Sequence, residues 1–333
     1  MAIEKIERGM KLINVLAAQT RNERVDSDKI EEANQIISEM VEDLNPANIH
    51  LIGQTVAYTV EKLQENTLDF LGTVADVKNI SYGEKAAFKL RHGGVKAVVQ
   101  AKGATAPRSY VTGSQILVET KEIAARPAIN IIDLRTGRVQ MTDLIREANE
   151  AITDKKLKMA QQVLHAGISN FSTPFYDASI TNLNQALVDA QLMHFRRYGP
   201  VTILGDIALV SQLAGWTGMA VNPTSMQYSG NLIDERNKNG FIGNYNGCSV
   251  IGMTNAYEED GITPVLNPNW LYILPGGQTA EARNLKLVNE GGINSMASQN
   301  IDDRVYEILL DCWFGAAFVT GKNPTSGAHE LKP

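Results

Sequence analysis

The chain has 333 residues, of which 44% are hydrophobic and 20% charged, a composition typical of a globular protein with about two domains. It has no apolar run of about 18 residues, no secretory signal pattern and only two cysteines. These features argue against a membrane-spanning helix, secretion and a disulfide framework, and they fit a reducing, cytosolic setting. The formal net charge of −6 argues against nucleic-acid binding as the main task.

The charge is distributed unevenly along the chain. Residues 78–138 carry 11 basic and 4 acidic side chains, a formal charge of +7, whereas residues 1–77 carry −7 and residues 139–333 carry −6. A basic, glycine-punctuated segment between two acidic ones is typical of a part that docks on an acidic neighbour. A solvent-exposed hairpin with chance clustering of charge explains the same pattern, so both interpretations stay open.

The first 46 residues contain two stretches with apolar residues at helical spacing, separated by the polar sequence TRNERVDSD and ended by Asn45-Pro46. This pattern predicts two amphipathic helices on an arm. Their narrow apolar stripes favour packing on another part of an assembly, although a helical hairpin on its own domain fits equally well. Residues 47–77 are predicted either as a helix that ends at Gly72 or as strand-like in their first half.

Residues 78–122 are predicted to form an extended, two-stranded β-loop. The stretches AAFKLRHGG, GVKAVVQAKG and SQILVETKEI are rich in β-forming residues, are separated by glycine and carry lysine or arginine along their edges. A further strand is predicted at residues 127–133. Residues 142–168 predict a helix about 35–40 Å long, capped by Thr142 or Asp143, which indicates a spine.

The second half of the chain predicts a separate unit. Residues 178–300 alternate short helices and strands, which indicates an α/β arrangement. Residues 301–320 are predicted as an apolar, strand-like pair that returns to the spine, and the polar tail, residues 321–333, is predicted to be frayed.

The sequence shows no pattern that supports catalysis. The histidines lack metal-ligand spacing, and there is no HExxH, GxSxG or Walker A motif. The acidic stretch Glu258-Glu259-Asp260 is interpreted as a solvated turn in preference to a cation site. Cys248 and Cys312 lie in apolar stretches that favour buried packing. We therefore predict no catalytic, cofactor-binding or metal residues, and no enzyme.

The order of the parts is distinctive: a helical arm, an extended loop, a long helix, an α/β unit and a return strand. With FIGNYNGCSVI at residues 241–251, Thr254-Asn255-Ala256 after it, and the closing segment 305–317, this order resembles the major capsid proteins of tailed bacteriophages with the HK97-type fold. The resemblance covers most of the chain and depends on the order of elements more than on any single motif. It implies an α+β, HK97-like capsid fold.

The resemblance also implies a division of the chain into five parts. They are an N-terminal arm at 1–46, a peripheral domain of 47–77 with 123–177 and 301–320 that includes the spine helix 142–168, an extended loop at 78–122, an axial domain at 178–300 and a C-terminal tail at 321–333.

The implied function is that of a structural shell protein. It would self-assemble into hexamers and pentamers of an icosahedral phage head enclosing double-stranded DNA, and would be found in the virion after assembly in the host cytoplasm. The alternatives are an encapsulin-type nanocompartment shell, which shares the fold, and a cytosolic α/β enzyme whose site the sequence hides.

The implied partners are further copies of the chain, a portal and a decoration protein, with no cofactor and no membrane. Only about 45 arm residues precede the body and the chain starts with Met1, so we expect a separate scaffolding protein. DNA contact is expected to be non-specific, since a strongly basic wall would trap DNA.

Ten charged residues are predicted to make inter-subunit contacts, because they lie in the arm, in the basic loop or in the long segment 214–246. They are Glu4, Glu7, Lys85, Lys89, Arg91, Lys96, Lys102, Arg108, Arg236 and Lys238. Some members of the resembled family crosslink a loop lysine to an asparagine of a neighbour. Lys96 or Lys102 could act in this way, but no partner is identifiable and no crosslink is predicted.

Overall fold

The computed structural model describes residues 12–21, 23, 25–42, 46–92, 112–136, 138–180, 183–216, 243–253, 255–258, 260–276, 283–300, 305–320 and 325–331. The helices are α1 at residues 12–20, α2 (Ser27–Glu42), α3 (Pro46–Val74), α4 (Ile131–Arg135), α5 (Met141–Ile168), α6 (Gln185–Phe195) and α7 (Ile207–Val210), the last followed by a 3-10 helix at Ser211–Gly215. None of the described helices is both long and apolar enough to cross a membrane.

The strands form three sheets. Those before α5 are β1 (Ala75–Ile80), β2 (Ala86–His92), β3 (Thr112–Val118), β4 (Lys121–Ala125) and β5 (Ala128–Asn130). Those after it are β6 (Tyr176–Ile180), β7 (Val201–Asp206), β8 (Asn244–Tyr245), β9 (Cys248–Met253), β10 (Trp270–Pro275), β11 (Leu285–Asn300), β12 (Val305–Phe318) and β13 (Gly327–Leu331).

A five-stranded sheet has the order β1-β11-β12-β4, with β5 also paired to β12. Helices α3 and α5 cover one face of it, α3 along β11 and α5 along β12. Gly53 permits a close approach on the α3 side, because a Cβ there would lie 2.8 Å from the Cβ of Ala297. Alternate residues of β12 are buried under these helices, from Tyr306 to Phe314, as the two-residue repeat of a strand requires.

A six-stranded sheet has the order β6-β13-β10-β7-β9-β8, and a separate two-stranded sheet consists of β2 and β3. A second apolar core lies between the six-stranded sheet and helices α6 and α7, and includes Val188, Phe195 and Ile203. Helix α5 joins the two larger sheets, since it contacts β12 of the five-stranded sheet and β13 of the six-stranded one.

The N-cap of helix α5 lies two or three residues before the predicted cap residues. Gln140 is the N-cap, and its backbone N–H donates to Oδ2 of Asp143 over 3.2 Å in a capping box. Buried residues recur along the helix at helical spacing, among them Leu144, Ala148 and Ile152. The strand predicted at 127–133 is shorter, because Asn130 Oδ1 accepts the backbone N–H of Ile132 over 2.9 Å and starts α4.

The segment 47–77, left open between helix and strand, is α3 up to Val74. Two further segments differ from the predictions. The predicted strand-like pair at 301–320 is the single strand β12. Leu285–Asn300, predicted in the axial unit, pairs with β12 in the five-stranded sheet.

The predicted fraying of the tail is wrong for Gly327–Leu331. This strand pairs with β10 and β6. Ala328 and His329 are 1% and 0% exposed. Burial between two strands therefore keeps this segment ordered, although its polar sequence predicted a solvent-exposed tail.

Candidate functional site

The hairpin β2–β3 projects the basic segment of the chain. Its strands pair from Ala86 opposite Val118 to His92 opposite Thr112. Lys85 and Lys89 are exposed, and Leu117 is an apolar residue left 57% exposed near them. An isolated two-stranded hairpin is only marginally stable in water. Its exposed charged and apolar side chains are therefore suited to contact another surface.

The structure describes the side chains of only two of the predicted contact residues, Lys85 and Lys89, and their contacts with other copies stay a prediction. The backbone of Arg91 pairs with Gly113, but its side chain lies outside the described residues. The remaining predicted contacts also lie outside them: Glu4, Glu7, Lys96, Lys102, Arg108, Arg236 and Lys238.

The base of the hairpin is anchored by Phe88, which is 1% exposed and packs in a small core with Val118 and Val288. Two lysine ammonium groups lie over its ring, at 4.4 Å for Lys78 and 5.5 Å for Lys286. Sequence reasoning missed this anchor, because Val288 is distant in the chain and Lys286 has no sequence pattern that marks it as buried.

The charge of the buried Lys286 is balanced locally. Its Nζ lies 2.9 Å from Oδ2 of Asp76, across the parallel pair β1–β11. Lys78 donates to the carbonyl of Ala87 over 2.6 Å and so ties β1 directly to β2. The hairpin is therefore attached to the five-stranded sheet by an aromatic ring, two cations and one carboxylate.

The face of the five-stranded sheet opposite α3 and α5 is called the open face here. Cross-strand pairs put its residues side by side: Glu290 with Trp313, Trp313 with Glu122, Asn294 with Asp311, Met296 with Leu309, and Ser298 with Glu307. Four of them are carboxylates, but Glu290 is hydrogen-bonded by Gly83 and Thr120 of the same chain and Glu307 forms an ion pair with Arg126, which leaves Glu122 and Asp311 for a neighbour. Met296 is 69% exposed. The open face thus presents negative charge beside apolar surface, the complement of the hairpin.

A polar junction lies where α5 reaches the six-stranded sheet. The rings of His165 and Trp270 stack at 3.7 Å, and Tyr176 donates to Glu330 over 2.5 Å. Burial lowers the pKa of His165, and the Glu330 carboxylate opposes that shift. Burial and then Glu330 raise the pKa of Tyr176 to about 12. Adjacent to them, burial lowers the pKa of His329 to about 4.

A cavity of about 480 Å³ lies between α3, α5 and the middle of β11 and β12. Lys156 reaches it and donates to Oε1 of Gln64 over 2.7 Å, both residues being 4% exposed. Burial lowers the pKa of the Lys156 ammonium, and burial raises the pKa of the nearby Cys312 thiol. Both cysteines are free and buried.

The acidic stretch at residues 258–260, interpreted from the sequence as a turn in preference to a cation site, leads into a hydrogen-bonded turn. Asp260 accepts the backbone N–H groups of Ile262 and Thr263 over 2.9 and 2.8 Å, and Glu258 pairs with Lys158 over 2.7 Å. Across the part of the chain that the structure describes, no group of three or more His, Cys, Asp or Glu residues is placed to hold a metal ion.

The fold has counterparts among solved phage structures. A chain of Mycobacterium phage Bobi aligns with a TM-score of 0.53 at 11% identity, over 79% of this chain and 90% of that chain. A chain of Gordonia phage Cozz aligns with a TM-score of 0.53 at 11% identity, over 79% and 86%. The asymmetric unit of bacteriophage PhiM1 mature capsid gives 0.51 at 12% identity, over 78% and 85%.

The long helix, the projecting hairpin and the two sheets therefore define a chain with the HK97-like fold of these phage structures. More particularly, the chain belongs to the family described as SPbeta prophage-derived putative capsid protein YonB, whose family model matches residues 6–326. No curated protein matches the chain in sequence. The predicted α+β, HK97-like fold and the predicted structural role in a phage head are confirmed, and as a capsid protein the chain is part of the virion.

Proposed function

We propose that copies of this chain assemble into hexamers and pentamers of an icosahedral head that encloses double-stranded DNA, and that the role is structural and not catalytic. Membership of a capsid family supports the shell, and the HK97-like fold supports its architecture. The family match also favours a phage head over an encapsulin-type compartment or an enzyme.

One observation carries the proposed mode of assembly: a basic hairpin leaves a sheet whose open face is acidic. Lys85 and Lys89 are exposed on the hairpin, and the open face carries Glu122 and Asp311. The hairpin of one copy would therefore be attracted to the open face of the next. Such complementarity steers encounter and register between copies. Arg91, Lys96, Lys102 and Arg108 remain proposed contacts of the same hairpin loop.

The sheets suggest a revised division of the chain. The five-stranded sheet with α3 and α5 would be the peripheral domain, and it takes in Leu285–Asn300. The six-stranded sheet with α6 and α7 would be the axial domain, and it takes in Gly327–Leu331. The arm 1–46 and the loop 78–122 keep their predicted roles, except that Lys78–Ile80 form the end of β1, and Lys121 and Glu122 begin β4.

The proposed partners follow from the shell. A separate scaffolding protein, a portal and a decoration protein would join the homo-oligomer, with assembly in the host cytoplasm and non-specific DNA contact. Glu4 and Glu7 in the arm, and Arg236 and Lys238 in the segment 214–246, are proposed to contact neighbouring copies.

Negative-stain electron microscopy and light scattering of the purified full chain test the proposed assembly. Closed shells, or rings of five and six, support it. A monomer or dimer that stays so even when a lysate of infected host cells supplies scaffold would contradict it.

Reversing the hairpin charge should impair assembly. In Lys85→Glu/Lys89→Glu, attraction to the acidic open face becomes repulsion, so shell yield should fall most at low salt. It should recover as salt rises, because screening acts over about 10 Å at 0.1 M. Light scattering across a salt series measures this. Lys155→Glu/Arg197→Glu, an equal charge reversal at exposed sites away from the hairpin, is the control. A yield indifferent to charge and salt would contradict electrostatic docking.

A further inference from the structure

Strand β11 carries a bulge on the side from which the hairpin leaves. Glu290 lies opposite Trp313 and Asn294 lies opposite Asp311, so three residues of β11 stand where β12 has Cys312 alone. Gly291 in the bulge has a φ of +65°, a conformation that glycine adopts easily and most other residues do not. A bulge re-aims the side chains around it and ends regular pairing.

The turn that precedes the hairpin fits into this bulge. The turn is closed by the N–H of Glu84 donating to the carbonyl of Ser81 over 3.1 Å. Its Tyr82 stacks edge-to-face on Trp313 with centroids 6.4 Å apart and accepts a hydrogen bond from the amide of Asn294. A Cβ on Gly291 would lie 2.5 Å from the Tyr82 ring. The glycine therefore makes the space that the tyrosine fills.

The carboxylate of Glu290 joins both ends of the hairpin to the same point. Oε1 accepts the backbone N–H of Gly83, before β2, over 2.9 Å. Oε2 accepts the hydroxyl of Thr120, after β3. These two hydrogen bonds, first that of Thr120 and then that of Gly83, lower the pKa of Glu290, so the ionised form makes the contact at neutral pH.

The Glu290 contacts restrain the hairpin differently from the Phe88 anchor. Phe88 and the Ala87 carbonyl that Lys78 binds both lie on β2, so these contacts hold the hairpin through that strand. The two hydrogen bonds to the Glu290 carboxylate add a restraint on each flank of the hairpin, before β2 and after β3.

We propose that the bulge Glu290–Asn294 is a socket that sets the angle at which the hairpin leaves the five-stranded sheet, with Glu290 as the positioning residue. The socket thereby determines where strands β2 and β3 meet the neighbouring copy. This inference rests on the proposed docking of the hairpin.

Amide hydrogen exchange on the full chain tests the socket. Thr120→Val removes the hydroxyl donor at nearly constant volume, and Glu290→Gln removes the charge while keeping an acceptor for Gly83. Loss of one hydrogen bond should speed exchange in β2 and β3 by about fivefold in Thr120→Val, with other strands unchanged. Thr120→Ser, which keeps the hydroxyl, should restore the wild-type rate. Equal exchange in all of these proteins would overturn the inference.

Substitutions at Gly291 and Tyr82 test the steric contact between these two residues. Asparagine tolerates positive φ, so Gly291→Asn mainly adds a side chain that collides with Tyr82. It should speed hairpin exchange and lower shell yield, and Tyr82→Ala in the same chain should reverse part of both effects. If Tyr82→Ala and Gly291→Asn act additively, the two residues do not share a socket.

The socket and the docking of the hairpin can be distinguished by experiment. If hairpin charge reversal blocks shells but the socket variants assemble normally, the socket inference is wrong and the docking stands. If neither set of variants affects assembly, the docking itself is wrong.

Discussion

A subunit with a shortened hairpin should fold and form no shells. Lys89 and Gln115 are cross-strand partners, so a two-residue Asn-Gly turn can join them and replace residues 90–114. The design keeps Phe88, Thr120 and the contact with Glu290, so the hairpin base and its apolar core remain covered. Thermal unfolding should therefore stay close to that of the wild type.

The loss of shells has a physical reason in the repetition of contacts. Each copy in a shell contributes the same hairpin contact, and the assembly is stabilised by the sum of many modest interfaces. Removing one contact from every copy lowers the effective affinity of all of them together. Sedimentation and electron microscopy should show single subunits or small rings.

A matched variant separates the effect of hairpin length from the effect of hairpin charge. It keeps the full hairpin length but replaces Lys96, Lys102 and Arg108 by glutamine. Shells from this variant together with none from the shortened one would assign the effect to reach, and shells from neither would assign it to charge. Normal shells from the shortened chain would contradict a role for the hairpin in assembly.

Local patterns were sufficient to predict the hairpin and the long helix. The apolar repeat of 142–168 leads to α5 at Met141–Ile168, because that repeat matches the face buried against β12. The β-rich stretches on either side of the loop lead to β2 and β3. In both cases neighbours in sequence carry the signal.

Helix α3 could not be read with certainty because its middle is rich in β-branched residues. The hydroxyls of Thr55 and Thr59 bond back to the carbonyls of Leu51 and Thr55, over 2.9 and 2.7 Å, which accommodates them in a helix. Val56, like the rest of the buried face, is packed against the sheet, and this tertiary burial outweighs its propensity.

The socket and the last strand could not be predicted from the sequence, because their contacts join residues that are distant in the chain. Glu290 and Gly83 are 207 residues apart, and nothing local to either marks the contact. The strand β11 contains Gly291-Gly292 and many polar residues, and it is held as a strand by partners on both sides. The strand β13 is likewise defined by distant partners, β10 and β6.

Acidification from pH 6.5 to 4 should destabilise the six-stranded sheet through His329. Its Nε2 lies 3.0 Å from Oε1 of Gln191, whose own amide donates to the carbonyl of Pro174, so the histidine is the donor in this pair. Its Nδ1 is buried without a partner among the described residues. Protonation there places a charge in the core, and Asp177 on β6 opposes the resulting shift only in part.

The sign of the effect follows from the two pKa values. Burial lowers the pKa of His329 from 6.5 to about 4, so the unfolded chain binds the proton more tightly than the folded one. The stability is fully present above pH 6.5 and is lost progressively as pH falls towards 4. The loss in the free energy of unfolding should be about 3 kcal/mol, at 1.36 kcal/mol for each unit of pKa.

Denaturant unfolding of the subunit between pH 4 and 7 measures this loss. His329→Gln keeps a donor towards Gln191 and cannot be protonated, so its unfolding free energy should depend less on pH in that range. His50→Gln, a change at an exposed histidine of α3, should keep the wild-type slope. If His329→Gln loses stability with acid as steeply as the wild type, another group is responsible. A flattened slope would identify His329 as the residue that makes the folded subunit sensitive to acid in this range.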